Sequence, residues 1–115
     1  MNMKRILSAL LVTVMVFGAV AGFIPAPSTT RVLAAQAADE LLNISGISAS
    51  FVLYPDENGT VVISARSIGS ANVQMILEPL GGGGNTSTAG AQVKDSNVKD
   101  VLDRLLASID KFYEN

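Results

Sequence analysis

Along the last segment of the chain, Val98, Val101, Leu102, Leu105, Leu106, Ile109 and Phe112 recur at spacings of three and four. That repeat places side chains on one stripe of an α-helix. Asn97 stands one residue ahead of the stripe as an N-cap, with Asp100 three residues on. Asp100, Asp103 and Asp110 fall on the opposite side and read as a solvated polar face.

A different period governs the middle of the chain. Ala49, Phe51 and Leu53 alternate with Ser48, Ser50 and Val52, and "VVISA" after Asn58-Gly59 is rich in β-branched residues. The pattern predicts a β-hairpin over 48–54 and 60–66, with "PDENG" as its loop. Before it, "AQAADELLNI" carries Ala34, Ala37, Ala38, Leu41 and Leu42 at helical spacing, with Asp39-Glu40 read as charge near a helix N-terminus. After it, Asn72 caps a helix whose apolar face is Val73, Ile76, Leu77 and Leu80, and Pro79 shortens or kinks its last turn. "STAG" at 87–90 is expected to start a short helix, and "AQVKD" a strand. The order is α-β-β-α-(glycine loop)-β-α. It predicts an α/β chain built as a small α+β sandwich of a hairpin-containing sheet with helices.

The N-terminus is patterned differently again. Ile6–Ile24 holds no charged residue, follows Lys4 and Arg5, and is closed by Pro25 and Pro27. A hydrophobic leader helix is expected, either a secretory signal or an uncleaved membrane anchor through residues 6–24. "VLA" at 32–34 and "AQA" at 35–37 both suit a cleavage site. Residues 1–34 are therefore assigned to the leader, with "PAPSTTRVLA" as its end or a linker, and residues 35–115 to the folded domain. The basic residues ahead of the apolar stretch favour export of the domain behind it.

Charge narrows the chemistry. Beyond Ala34, Arg66, Lys94, Lys99, Arg104 and Lys111 face ten acidic residues, a net of −5. Such a domain has no general attraction to a nucleic acid backbone, so any phosphate recognition is local. The chain has neither histidine nor cysteine. That removes the usual general base, the commonest metal ligand and any disulfide framework.

The one local candidate is "LGGGGNTSTAG", Leu80–Gly90. Four glycines in a row are costly to order. Two readings stand. Gly81, Gly82, Gly83 and Gly84 form a tight backbone loop whose amides, with donors from Asn85, Thr86, Ser87 and Thr88 and the start of a following helix, meet an anion. Alternatively they are an extended helix stop.

"AADELL", the hairpin ending in "SARS" at 64–67, and the glycine run together resemble the C-terminal DHH-associated domain of DHH-family phosphoesterases, above all that of membrane-bound cyclic-di-AMP phosphodiesterases. The resemblance covers about Gln36 to Lys111. It implies a substrate-binding domain for a nucleotide or nucleic acid phosphate, with a cyclic or linear dinucleotide as ligand. Carried over, the binding residues are Arg66 and Ser67 of "SARS", Gly81–Gly84, and Asn85 where the family has histidine. Asn85 keeps a hydrogen-bond donor and loses a protonatable ring. In the family, hydrolysis belongs to a separate DHH domain holding two metal ions, usually manganese. Residues 1–35 offer no Asp and His cluster for that role. The resemblance thus implies a domain that is not catalytic alone, partnered by a DHH domain in another chain or by a second copy of itself, and facing the cytoplasm. The leader points to the other side of the membrane, as a leader joined to a tail fragment near Ala34–Gln36 would. The alternative function is an exported small α/β module with a decayed site and a structural or other binding role.

Overall fold

The computed structural model describes residues 11–16, 27–43, 47–56 and 58–114. Its strands are β1 (Leu11–Val16), β2 (Ile47–Pro55), β3 (Val61–Ser67), β4 (Gly83–Gly84) and β5 (Thr88–Val93). Its helices are α1 (Pro27–Leu41), α2 (Val73–Leu77), which tightens into a 3₁₀ turn at Glu78–Leu80, and α3 (Val98–Phe112). The sheet order is β1-β2-β3-β5-β4, antiparallel from β2 onwards, with β1 parallel to β2 at one edge. This is a small α+β fold.

The hairpin forms where the alternation placed it. Asp56 Oδ1 accepts from the Asn58 and Thr60 amides at 2.8 and 3.1 Å, and Gly59 supplies the positive φ of 75° that the turn needs. Because side chains alternate, β2 and β3 feed two cores. Phe51, Leu53, Ile63 and Ala65 face α2 and α3. Val52, Tyr54 and Val62 face α1, which meets them through Ala34 and Ala38. These two alanines, four residues apart, let the helix lie close on the sheet.

The α3 stripe is as the spacing predicted. Val101, Leu105 and Ile109 are buried, with Leu102 and Phe112 packed at the margin. Asn97 caps the helix by accepting from the Asp100 amide at 2.9 Å, and Lys111 sits in the last turn, where a cation suits the helix dipole. Asn72 likewise caps α2, accepting from the Met75 amide at 3.1 Å.

Three local expectations change. The segment 88–93 is a strand throughout and contains no short helix: Ala89, Ala91 and Val93 turn inward while Thr88 and Gln92 turn outward, a period of two. Residues 27–34, read as a leader end or linker, belong to α1. Asp39 and Glu40 consequently lie in the last turn of α1, at the opposite end from the one expected. Of the Ile6–Ile24 stretch, residues 11–16 run as a strand, in keeping with their β-branched Val12, Thr13, Val14 and Val16; the remainder lies outside the described residues. Among the described residues no helix is long and apolar enough to cross a membrane.

Candidate functional site

The glycine run begins where α2 ends, and α3 fixes that end. Arg104 Nη2 donates to the Pro79 carbonyl at 3.3 Å, and Ser108 Oγ donates to that of Ile76. Pro79 sits in the 3₁₀ turn, whose tighter winding closes the helix. Gly81 then takes φ 81°, and its amide donates to Glu78 O at 2.9 Å. The Gly82 amide donates to Leu77 O, also at 2.9 Å. These two N–H groups are therefore spent on helix carbonyls, as at any left-handed helix stop. They do not join an open row of amides.

Each glycine has a different reason to be there. A Cβ on Gly82 would lie 2.6 Å from Gly90 O and 2.9 Å from both Leu77 Cβ and Ala91 Cβ, so only glycine lets α2 close on β5. Gly84 has φ 145°, and a side chain there would strike Thr88 O and the Ala89 Cα. Gly83 is unlike both. Its φ is ordinary, and a Cβ would meet nothing within 4 Å. It stands directly opposite Gly90 in the β4–β5 ladder.

That pair floors a shallow groove of about 500 Å³, lined by Ser64, Gly81–Gly83, Gly90, Gln92 and Lys94 along with Val62, Ile63 and Ala91. Val62, Ser64, Gly90 and Gln92 alternate onto the sheet face that carries α1. Among the described residues α1 covers β2 and β3 and leaves the β5–β4 end of this face open. Among the described residues no acidic side chain lines the groove. Lys94 pairs with no carboxylate among the described residues.

Arg66 belongs to the same face, one two-residue step along β3 from Ser64, or about 7 Å. Its Nε donates to Asp39 Oδ1 at 2.9 Å and its Nη1 to the Ala65 carbonyl at 2.9 Å. Its side chain is 18% exposed. Ser67 is placed elsewhere. It turns to the opposite face and is buried, with Oγ 2.7 Å from Ala71 O and 2.9 Å from Thr86 O. Asn85 sits at the tip of the β4–β5 turn. Its Oδ1 accepts from the Ser87 amide at 3.0 Å, the Ser87 hydroxyl at 3.2 Å and the Thr88 amide at 2.9 Å. It is thereby a turn former.

The fold thus gathers Gly81–Gly83 into the groove and sets Arg66 beside it. Ser67 and the Asn85 carbonyl serve the loop. Ser64, Gly90, Gln92 and Lys94 do not stand out in the sequence as site residues. A signal for them exists, since Gly90, Gln92 and Lys94 are spaced by two, as a strand face requires. The helix expected at "STAG" hides it. That helix is absent, so no helix N-terminus adds positive charge here. The chain has no histidine or cysteine, and among the described residues no group of three or more acidic side chains is placed to hold a metal ion.

The DHHA1 domain model matches residues 9–115. The cyclic-di-AMP phosphodiesterase GdpP of Geobacillus thermodenitrificans is 49% identical over 84 residues, which is 73% of this chain and 13% of that protein. The cyclic-di-AMP phosphodiesterase PdeA of Listeria monocytogenes is 45% identical over 83 residues, 72% of this chain and again 13% of the relative. The chain therefore spans about an eighth of the length of these curated relatives. An exopolyphosphatase-related protein from Bacteroides fragilis superimposes with a TM-score of 0.59 at 20% identity, over 65% of this chain and 22% of that one. At that identity the likeness speaks for the fold alone.

Proposed function

The chain belongs to the DHHA1 domain family, and on that footing we propose that its glycine-floored groove binds the phosphate-bearing part of a nucleotide, with a cyclic or linear adenine dinucleotide as the ligand class. Relatives at 45% and 49% identity over nearly three quarters of this chain are cyclic-di-AMP phosphodiesterases. The observation that carries the reading is Gly83. Nothing among the described residues excludes a side chain there, yet the position has none and opposes a second glycine. The result is bare backbone on an open face, where a sugar–phosphate chain can approach closely. Arg66 beside the groove and Lys94 within it supply the cations, in a domain that is otherwise acidic. Arg66 suits a phosphate because its planar fork matches two oxygens at once.

In this role the chain binds and does not itself cleave. In this reading hydrolysis falls to a metal-bearing DHH domain; among the described residues of this chain no group of acidic side chains is placed to hold a metal ion. Gly81, Gly82 and Gly84 shape the loop, and Asn85 holds its tip.

A second reading has its own support. The Gly81 and Gly82 amides are already paired, which favours a glycine run kept for architecture. Calorimetric titration of the full chain with cyclic-di-AMP and with its linear dinucleotide separates the two. The binding reading expects saturable heat that Arg66→Ala and Gly83→Val each reduce. No heat up to millimolar ligand establishes the architectural one.

A further inference from the structure

Arg66 lies directly across from Ser50 in the β2–β3 ladder. Ser50 is fully buried, and its Oγ donates to the Ala38 carbonyl at 2.6 Å. Arg66 Nε donates to Oδ1 of the next residue, Asp39, at 2.9 Å. One cross-strand pair therefore ties consecutive residues of the last turn of α1 to the sheet.

Neither burial nor the helix explains a carboxylate at position 39. The Asp39 side chain is 64% exposed. A negative charge in a final turn opposes the helix dipole. What Asp39 does is fix Arg66. A guanidinium has five N–H donors in a rigid fork. Here Nε is held by Asp39 and one Nη1 hydrogen by Ala65 O. The Nη2 edge has no protein partner among the described residues. A long side chain that otherwise samples many rotamers is thus anchored on one edge and left with donors on the other.

We propose that Asp39 is a positioning residue for the groove: it orients the Arg66 guanidinium so that its free edge is ready for an anionic ligand. This rests on the reading of Arg66 as a ligand contact. Asp39 subtracts some positive potential. It gives in return a guanidinium already ordered before binding, and ordering is a large part of what a flexible contact loses on association. Buried Ser50 keeps the end of α1, and hence Asp39, at a fixed height above the strand.

The test uses the full chain, cyclic-di-AMP titrated by calorimetry, and the Arg66 Nε–H signal followed by NMR without ligand. Asp39→Asn is expected to bind about three- to tenfold more weakly, the effect of one oriented charge-assisted contact. Asp39→Glu restores most of the loss. In an Arg66→Ala background, Asp39→Asn has no further effect. The Arg66 Nε–H exchanges faster with water in Asp39→Asn than in the unaltered chain. Asp39→Asn binding as tightly as the unaltered chain, or more tightly, overturns the inference. So does an equal loss with and without Arg66. Failure of the groove reading looks different: a protected Arg66 Nε–H in a chain that binds no dinucleotide leaves the pair as a strut and overturns both.

Discussion

Gly83 pairs with Gly90 across the β4–β5 ladder, so at that point of the sheet neither strand carries a side chain. Gly82, its neighbour, is walled in by Leu77, Gly90 and Ala91, while Gly83 opens onto the groove. Adjacent glycines in one run are therefore placed differently, one enclosed by packed neighbours and one facing open space.

Alanine substitution separates them. Gly82→Ala is expected to destabilise the fold by about 2–4 kcal/mol, because neither backbone nor core can yield to the new Cβ. Gly83→Ala is expected to stay within about 1 kcal/mol of the unaltered chain, since the residue has room and an ordinary φ. Urea unfolding followed by circular dichroism reads both.

Arg66→Ala is expected to weaken dinucleotide binding about tenfold or more, through loss of charge-assisted contacts to phosphate. Gly83→Val is expected to weaken it while the chain remains folded, because the side chain projects into the groove. Calorimetric titration with a parallel thermal melt distinguishes lost contact from lost fold.

Ser67 and Asn85 are expected to show themselves in stability. Ser67→Ala removes a buried hydroxyl that sits against the Ala71 and Thr86 carbonyls, at a cost of about 1–3 kcal/mol. Asn85→Ala removes an acceptor serving the Ser87 and Thr88 amides, at a cost of about 1 kcal/mol. Amide exchange of residues 85–88 should quicken in both, and an unchanged exchange pattern contradicts a structural role for either side chain.

Tyr113 gives a pH signature. Burial raises its phenol above the ordinary value of 10.0, and its hydroxyl has no partner among the described residues. The folded chain therefore holds this proton more tightly than the unfolded one. The contribution is fully present below pH 10 and is lost as pH rises through the folded value. Thermal melts between neutral pH and 11 should fall more steeply for the unaltered chain than for Tyr113→Phe. Below pH 10, Tyr113→Phe should be as stable or more so, because phenylalanine buries no unpaired hydroxyl.

Long periodic segments are legible in the sequence. The α3 stripe and its Asn97 cap, the hairpin with its Asn58-Gly59 turn, and the Asn72 cap with its shortened helix all follow from local spacing. The short strands do not. Gly83–Gly84 carries no hydrophobic pattern, and "STAG" has small residues that suit a helix start as well as a strand. β5 is set by pairing with β3, a contact distant in sequence, and β4 in turn by pairing with β5. For the groove, the glycine run is legible in the sequence, while which glycine faces it and how Arg66 lies beside it are not. The placement of Asp39 is not, because it depends on where α1 begins, and Pro27 reads as a stop although it is a first helical residue. Lys94 escapes notice until the correct face of β5 is known.

The groove itself is tested by following backbone amide NMR signals of the full chain during titration with cyclic-di-AMP. Binding in the groove requires saturable shifts at Gly83, Gly90 and Lys94, with Asp110 and Lys111 in the last turn of α3, on the other side of the sheet, unmoved. Shifts scattered without saturation, or none at the Gly83–Gly90 pair, rule it out.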